Sequence, residues 1–162
     1  VKGVSINKVI IDTKADMNGV SLAPYKLFKP SQFCSVPITS RNGERITLSI
    51  NNHGRTYIVS SSYCVFNVID QERLLPMYLY LILCRPEFDR YSRFNSWGSA
   101  REAFSFDEMC RVRIPLPPLD VQKSIVALHK CAEEARSIAA EARETLRKMC
   151  PAMVQRAAHD IR

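Results

Sequence analysis

The fold is decided by one stretch, Ile114-Pro115-Leu116-Pro117-Pro118-Leu119-Asp120-Val121-Gln122-Lys123-Ser124-Ile125-Val126. Its prolines have a fixed φ angle and lack an N–H group, so the backbone around them is predicted to be extended. Asp120 is a predicted helix N-cap, because its carboxylate can accept the first free N–H groups. No further proline occurs until Pro151. The stretch therefore predicts two domains, a body over residues 1–117 and a long helix over residues 118–162.

The predicted helix carries a heptad pattern from Val121 onward. Roughly thirty residues of helix would span ~45 Å. Many side chains of the apolar stripe are small and bury little area, so the helix is not predicted to be stable alone. We expect it to pair with a second helix, and packing back on its own body is the alternative. The predicted pairing positions are Ile125, Leu128, Ala135, Ile138, Ala142, Leu146 and Met149.

The body has the pattern of an α/β (α+β) domain with a mixed, largely antiparallel sheet and short helices. Alternating Val, Ile and aromatic residues predict strands, and turn residues separate them. An Asn-Gly turn predicts that residues 33–37 and 45–50 pair as a hairpin. The spacing of Ser105 and Glu108 predicts a capping box. The strands are predicted over residues 4–11, 25–30, 33–37, 45–50, 56–59, 63–68 and 111–116, and the helices over 74–84, 87–94 and 106–110.

The positive charge is concentrated in the body. Residues 1–117 hold 15 Lys and Arg against 10 Asp and Glu, and the whole chain has a net charge of +7. From Ser31 to Gln122 every basic residue is Arg. The planar guanidinium suits phosphates and guanine edges, which indicates a nucleic-acid partner. An ordinary solvated basic surface is the alternative.

Enzyme, metal and membrane signals are absent from the sequence. No Gly-rich phosphate loop and no nucleophile or zinc-protease motif occurs, so we expect no catalytic residue, no metal and no cofactor. The six cysteines have no metal-ligand or CxxC spacing, and we interpret them as reduced thiols of a cytoplasmic protein. The longest apolar run, residues 77–84, is too short to span a bilayer.

Three polar turns, at residues 40–45, 51–55 and 95–101, share arginine or asparagine, small residues and a glycine. Arg can bind guanine O6 and N7, and Asn can bind adenine N6 and N7. Three solvated turns are the alternative, because Asn, Gly and Ser are also the usual turn formers. Trp97 stands in the third turn either as an exposed contact or as an anchor to the core. The predicted DNA contacts are Arg41, Asn42, Arg45, Asn52, Arg55, Ser99 and Arg101.

Taken in order, these segments resemble the target recognition domain of type I restriction–modification specificity subunits. The likeness runs from Gly3-Val4-Ser5-Ile6 through Thr39-Ser40-Arg41-Asn42-Gly43 to Trp97-Gly98-Ser99-Ala100-Arg101. Its most specific element is the Pro-Pro-x-x-x-Gln-x-x-Ile signature of residues 117–125, with the heptads behind it. The resemblance covers nearly the whole chain.

The resemblance implies a non-catalytic subunit that recognises a bipartite double-stranded DNA site. Such a subunit directs methyltransferase (M) subunits and, through them, restriction (R) subunits. One recognition domain and one spacer helix amount to half of that pattern, so the helix is expected to pair with a second spacer helix or in a homodimer. Two alternatives stay open. One is a coiled-coil interaction module with a basic RNA- or protein-binding body, and the other is the recognition domain of a fused bifunctional restriction enzyme.

Overall fold

The computed structural model describes residues 1–39 and 45–159, with side chains through residue 150. The predicted α+β class with a long C-terminal helix is confirmed. Every strand pairing in these ranges is antiparallel. The elements, in chain order, are β1 (Lys2–Val4), β2 (Ile10–Asp12), β3 (Lys26–Phe28), β4 (Phe33–Ser35), β5 (Leu48–Ile50), β6 (Tyr57–Val59), β7 (Cys64–Phe66), α1 (Pro76–Leu83), α2 (Pro86–Phe94), α3 (Phe106–Cys110) and α4 (Leu119–His159).

The first predicted strand, over residues 4–11, is wrong, because the chain turns back on itself there. Strands β1 and β2 form a hairpin, in which Ser5 N donates to Val9 O (3.0 Å) and Lys8 N donates to Ser5 O (2.9 Å). Lys8 has a positive φ of 61°, which is uncommon for a residue with a side chain. A buried ion pair with Asp89, 81 residues away, holds Lys8 in place. Local periodicity does not contain that information.

Strand β4 is the centre of a three-stranded sheet in the order β5-β4-β7. Phe33 lies opposite both Ile50 and Phe66, and its ring stacks on that of Phe66 with centroids 5.0 Å apart. The predicted hairpin between residues 33–37 and 45–50 is confirmed by the β4–β5 pairing. Strands β3 and β6 form a separate pair.

The main core lies between this sheet and the first two helices. Burial of each large apolar side chain contributes about 1.5–3 kcal/mol. Phe88 of α2 packs edge-to-face against Phe104, with ring centroids 6.0 Å apart, so the core also holds the segment that follows α2. The core residues are Phe33, Ile46, Leu48, Ile50, Val68, Leu83, Phe88 and Phe104.

The helices begin as their sequences predict. Helices α1 and α2 have proline in the first turn, where its missing N–H is not needed. Ser105 caps α3 by accepting the N–H of Glu108 (3.2 Å), which confirms the predicted N-cap. The predicted strand over residues 111–116 is wrong, because that segment forms no strand. Pro115 cannot donate to a ladder, and its carbonyl instead accepts from Tyr78 Oη (3.1 Å).

The chain divides into two compact units, Val1–Lys123 and Ser124–Arg162. The first turn of α4 belongs to the first unit, where the side chain of Gln122 is fully buried. Gln122 Oε1 accepts from Leu75 N (2.9 Å), and its Nε2 donates to Arg73 O and Pro117 O (2.8 Å each). The side-chain amide of Gln122 thus forms hydrogen bonds with three backbone groups of the body.

Helix α4 begins at Leu119, so Asp120 lies inside the first turn and not at the predicted N-cap. In the second unit the apolar positions are exposed, Leu128 by 71% and Ile138 by 68%. Side-chain ion pairs occupy other faces of the helix, and they join Lys130 to Glu134, Arg136 to Glu133, and Arg147 and Lys148 to Glu144. This separation of charged and apolar faces is typical of a helix that pairs with another.

No helix in the described ranges is long and apolar enough to cross a membrane. Among the described side chains, no group of three or more His, Cys, Asp or Glu is placed to hold a metal ion.

Candidate nucleic-acid interface

Backbone hydrogen bonds join the segment before the first predicted turn to the segment that contains the third turn. Ala103 forms bridges with both Ile38 and Trp97, and Thr39 N donates to Glu102 O (2.9 Å). Trp97 and Ala103 exchange two hydrogen bonds, of 2.9 and 3.1 Å. We call residues 37–39 and 97–104 the tethered segments. They bring residues 37–39, which precede the first turn, beside the third turn, although more than fifty residues separate them in sequence.

Ser99 and Arg101 lie on the closed turn of the second tethered segment, and both are exposed. Gly98 has a φ of 139°, and a Cβ there would lie 2.3 Å from the carbonyl oxygen of Arg101. The turn therefore requires glycine at this position. The side chain of Trp97 is 65% exposed, so its backbone anchors the turn while its indole faces solvent.

Arg45 is the last residue of the first predicted turn, and a buried side chain binds the backbone of the next residue. Ile46 N donates to Asp89 Oδ1 (3.1 Å), and the same oxygen accepts from Lys8 Nζ at 2.8 Å. The Lys8 ammonium also donates to Leu83 O (2.9 Å). The side chains of Lys8 and Asp89 are only 7% and 12% exposed. This buried pair fixes the backbone at Ile46, while Arg45 itself is exposed. Arg41 and Asn42 lie outside the described residues.

The second predicted turn is built around Asn51, which is fully buried. Its Nδ2 donates to Phe28 O (2.9 Å) and Arg55 O (2.8 Å), and its Oδ1 accepts from His53 N (3.1 Å). These bonds shape a turn that leaves Asn52 and Arg55 exposed. Asn51 is thus the residue of this turn that sets its geometry.

The predicted contacts fall into two groups at opposite ends of β5. Arg45, Ser99 and Arg101 belong to the end with the tethered segments, whereas Asn52 and Arg55 follow the other end. Strand β5 lies between Arg45 and Asn52 in the chain.

A groove that the sequence did not predict borders the first group. Its volume is about 730 Å³, and three arginines, Arg45, Arg90 and Arg93, line it together with the apolar residues Ile6 and Phe94. We call it the arginine groove. Only the fold places Arg90 and Arg93 of α2 next to Arg45.

Ion pairs orient the arginines that α2 contributes. Arg93 pairs with Glu102, which links α2 to the second tethered segment. Arg90 lies 3.7 Å from Glu87, and its side chain is 72% exposed. Such exposed pairs contribute about 0–1 kcal/mol, so an incoming anion can replace the carboxylates.

The buried thiols of the body are not set up as nucleophiles. Burial raises the pKa of Cys34 to about 12. It also raises the pKa of Cys64 and of Cys84, which lines the arginine groove. These cysteines are protonated near neutral pH, whereas a reactive cysteine is a thiolate.

One comparison with known proteins identifies a family. A family model described as the type I restriction modification DNA specificity domain matches residues 6–131. The matched region includes the tethered segments, the arginine groove and the first thirteen residues of α4. No curated protein matches the chain.

Proposed function

Because the chain belongs to the family of type I restriction modification DNA specificity domains, we propose that it recognises one part of a bipartite DNA site for a methyltransferase and nuclease complex. The family is one of DNA recognition and not of catalysis. In this proposal, residues 1–117 form the recognition domain and residues 118–162 form a spacer helix. Methyltransferase subunits bind the chain and perform the chemistry, and restriction subunits join through them, in the cytoplasm.

The observation that carries the proposal is the pair of tethered segments. They hold exposed Ser99 and Arg101 on a turn that backbone hydrogen bonds close and whose conformation requires Gly98. A base contact needs such a fixed donor, because a bidentate arginine discriminates between bases by about 1–3 kcal/mol only when its geometry is held. We propose Arg101 as a base contact, with Ser99 beside it.

The spacer role is supported by α4. Its apolar side chains are exposed in the single chain, and its ion pairs leave that stripe free of charge. We propose that the stripe pairs with a second spacer helix, either in a homodimer or in a longer subunit. Antiparallel pairing would put two recognition domains at opposite ends and leave a gap in the DNA site that neither contacts.

Selection from a pool of randomised duplexes tests the proposal, with the chain assembled with its methyltransferase partner. We expect an enriched motif of two specific blocks with an unspecified gap between them. Arg101→Ala should lose preference at one base pair, by about 1–3 kcal/mol. Arg143→Ala, which removes the same charge from α4, should leave the motif unchanged. Absence of any enriched motif would refute the proposal.

A further inference from the structure

We propose that the arginine groove binds the sugar–phosphate backbone of one DNA strand, and that Arg45 therefore contacts a phosphate and not a base edge. The inference rests on the proposed function, but it concerns a different part of the surface. It assigns to α2 a role in positioning the duplex against the tethered segments. It also revises the role that the sequence suggested for Arg45.

The charges of the groove are arranged for an extended anion. Its floor is electrically neutral, because Lys8 and Asp89 pair at 2.8 Å and are buried. The exposed charges lie on the rim, where Arg45, Arg90 and Arg93 stand. The excess of positive charge is therefore on the part of the groove that a DNA strand would touch. Phosphate contacts of this kind fix the register of a protein on the duplex.

Among the described residues, the carboxylates that pair with rim arginines are Glu87 and Glu102, and they do not cancel this excess. Glu87 is shared between Arg85 (3.2 Å) and Arg90 (3.7 Å), so one acidic group faces two arginines. Both of those arginine side chains are more than half exposed. A phosphate can therefore bind Arg90 without leaving Glu87 unpaired.

The apolar wall of the groove points to a nucleotide strand in preference to a small inorganic anion. Phe94 is 81% exposed and Ile6 is 47% exposed. A phosphate alone would leave both side chains in water. A nucleotide strand presents sugar rings between its phosphates, and these can pack against apolar side chains. Phe94 and Arg90 lie one helical turn apart on α2, which places an apolar and a cationic contact side by side.

The position of Arg45 supports a phosphate contact, because Arg45 lines the arginine groove and the tethered segments do not. The amide of the next residue, Ile46, is bound to buried Asp89, which fixes the backbone beside Arg45. Its guanidinium lines the same groove as Arg90. Ser99 and Arg101 are exposed on the turn that closes through Trp97 and Ala103, and neither residue lines the arginine groove.

Salt-dependent affinity for a mixed-sequence duplex of about thirty base pairs tests the inference without knowledge of the target. Each lost phosphate contact reduces the magnitude of the negative slope of log K against log salt by about 0.9. At 0.1 M salt this corresponds to a loss of affinity of about eightfold. We expect this change for Arg90→Ala and Arg45→Ala in the full chain with its methyltransferase partner. Arg111→Ala is the matched control. Arg111 is 70% exposed and pairs with Glu108 at i,i+3, as Arg90 does with Glu87, but it lies outside the arginine groove.

Selection from randomised duplexes then separates phosphate from base contacts. The motif enriched by the Arg45→Ala variant should equal that of the unchanged chain. Loss of preference at a single base pair would make Arg45 a base contact and overturn the assignment. If both groove variants had the same salt slope as Arg111→Ala, the assignment of the arginine groove to phosphate binding would be overturned. An enriched bipartite motif would in that case still support the proposed function. If the unchanged chain enriches no motif and binds no duplex, the proposed function and this inference fail together.

Discussion

Removal of the Gln122 side chain is expected to destabilise the whole recognition body. The amide is fully buried and makes hydrogen bonds to Leu75 N, Arg73 O and Pro117 O, all between 2.8 and 2.9 Å. In Gln122→Ala these three backbone groups lose their partner at once. They come from the loop before α1 and from the proline segment before α4, so the substitution separates two segments that are about forty-five residues apart.

The expected loss follows from these contacts. Each hydrogen bond contributes about 1 kcal/mol net, and more where the remaining group stays buried. The lost methylene adds about 0.8 kcal/mol. Together the loss is about 4 kcal/mol, against a total stability of about 5–15 kcal/mol for a typical domain. The variant should therefore be folded but much closer to its unfolding threshold.

Urea denaturation followed by near-ultraviolet circular dichroism measures this loss, because that signal reports the packing of the body's aromatic residues. Lys123→Ala is the matched control, since Lys123 is the next residue and is exposed. Its effect should stay within about 0.5 kcal/mol. If Gln122→Ala lowered the free energy of unfolding by less than about 1 kcal/mol, the conclusion that the three hydrogen bonds stabilise the body would be refuted.

Gln122→Glu adds a second test, in which the stability of the variant is predicted to depend on pH. The new carboxyl would face two carbonyl oxygens in a buried site, which raises its pKa above the value of about 4.3 in the unfolded chain. The folded state then favours the protonated form, which can still donate one hydrogen bond. The variant should be least destabilised below about pH 4 and lose stability as the pH rises through the raised pKa. A pH-independent loss would contradict this reasoning.

Three further predictions concern the body. Asp89→Ala should lower the free energy of unfolding by about 3–5 kcal/mol, because it leaves the ammonium of Lys8 buried and unpaired; a loss under about 1 kcal/mol in urea denaturation would contradict this. Gly98→Ala should lower it by about 2 kcal/mol or more, because the backbone conformation and a close carbonyl exclude a Cβ; an unchanged melting temperature would count against the strain. Iodoacetamide at pH 8 should modify exposed Cys110 well before Cys34, whose pKa is about 12; equal rates by mass spectrometry would show that Cys34 is accessible as a thiolate.

The sequence predicted the parts of the fold that depend on local pattern. The capped turn at Ser105, the proline-initiated helices and the β4–β5 hairpin each have a signal within a few residues. The errors share one cause. The turn at Lys8 depends on a distant carboxylate. Residues 111–116 meet the pattern of a strand but contain Pro115, whose carbonyl accepts a hydrogen bond from distant Tyr78 instead.

The candidate site shows the same limit. The residues of each turn could be chosen from composition, but the pairing of residues 37–39 with 97–104 depends on long-range backbone bonds. The arginine groove was missed, because Arg45 and Arg90 are separated by 45 residues and neither is unusual alone. Conversely, buried Asn51 and Asp89 looked like ordinary polar residues, although they fix the turns beside them.

The buried amide and carboxylate that hold the turns act on main-chain atoms. Asn51 binds the carbonyls of Phe28 and Arg55, and Asp89 binds the amide of Ile46. Every residue other than proline offers these same atoms, so exposed side chains nearby can be exchanged while the supports stay intact. A protein built in this way can acquire a new DNA target by a few surface substitutions, with little penalty in folding. The means of changing its target is thus separate from the means of remaining folded.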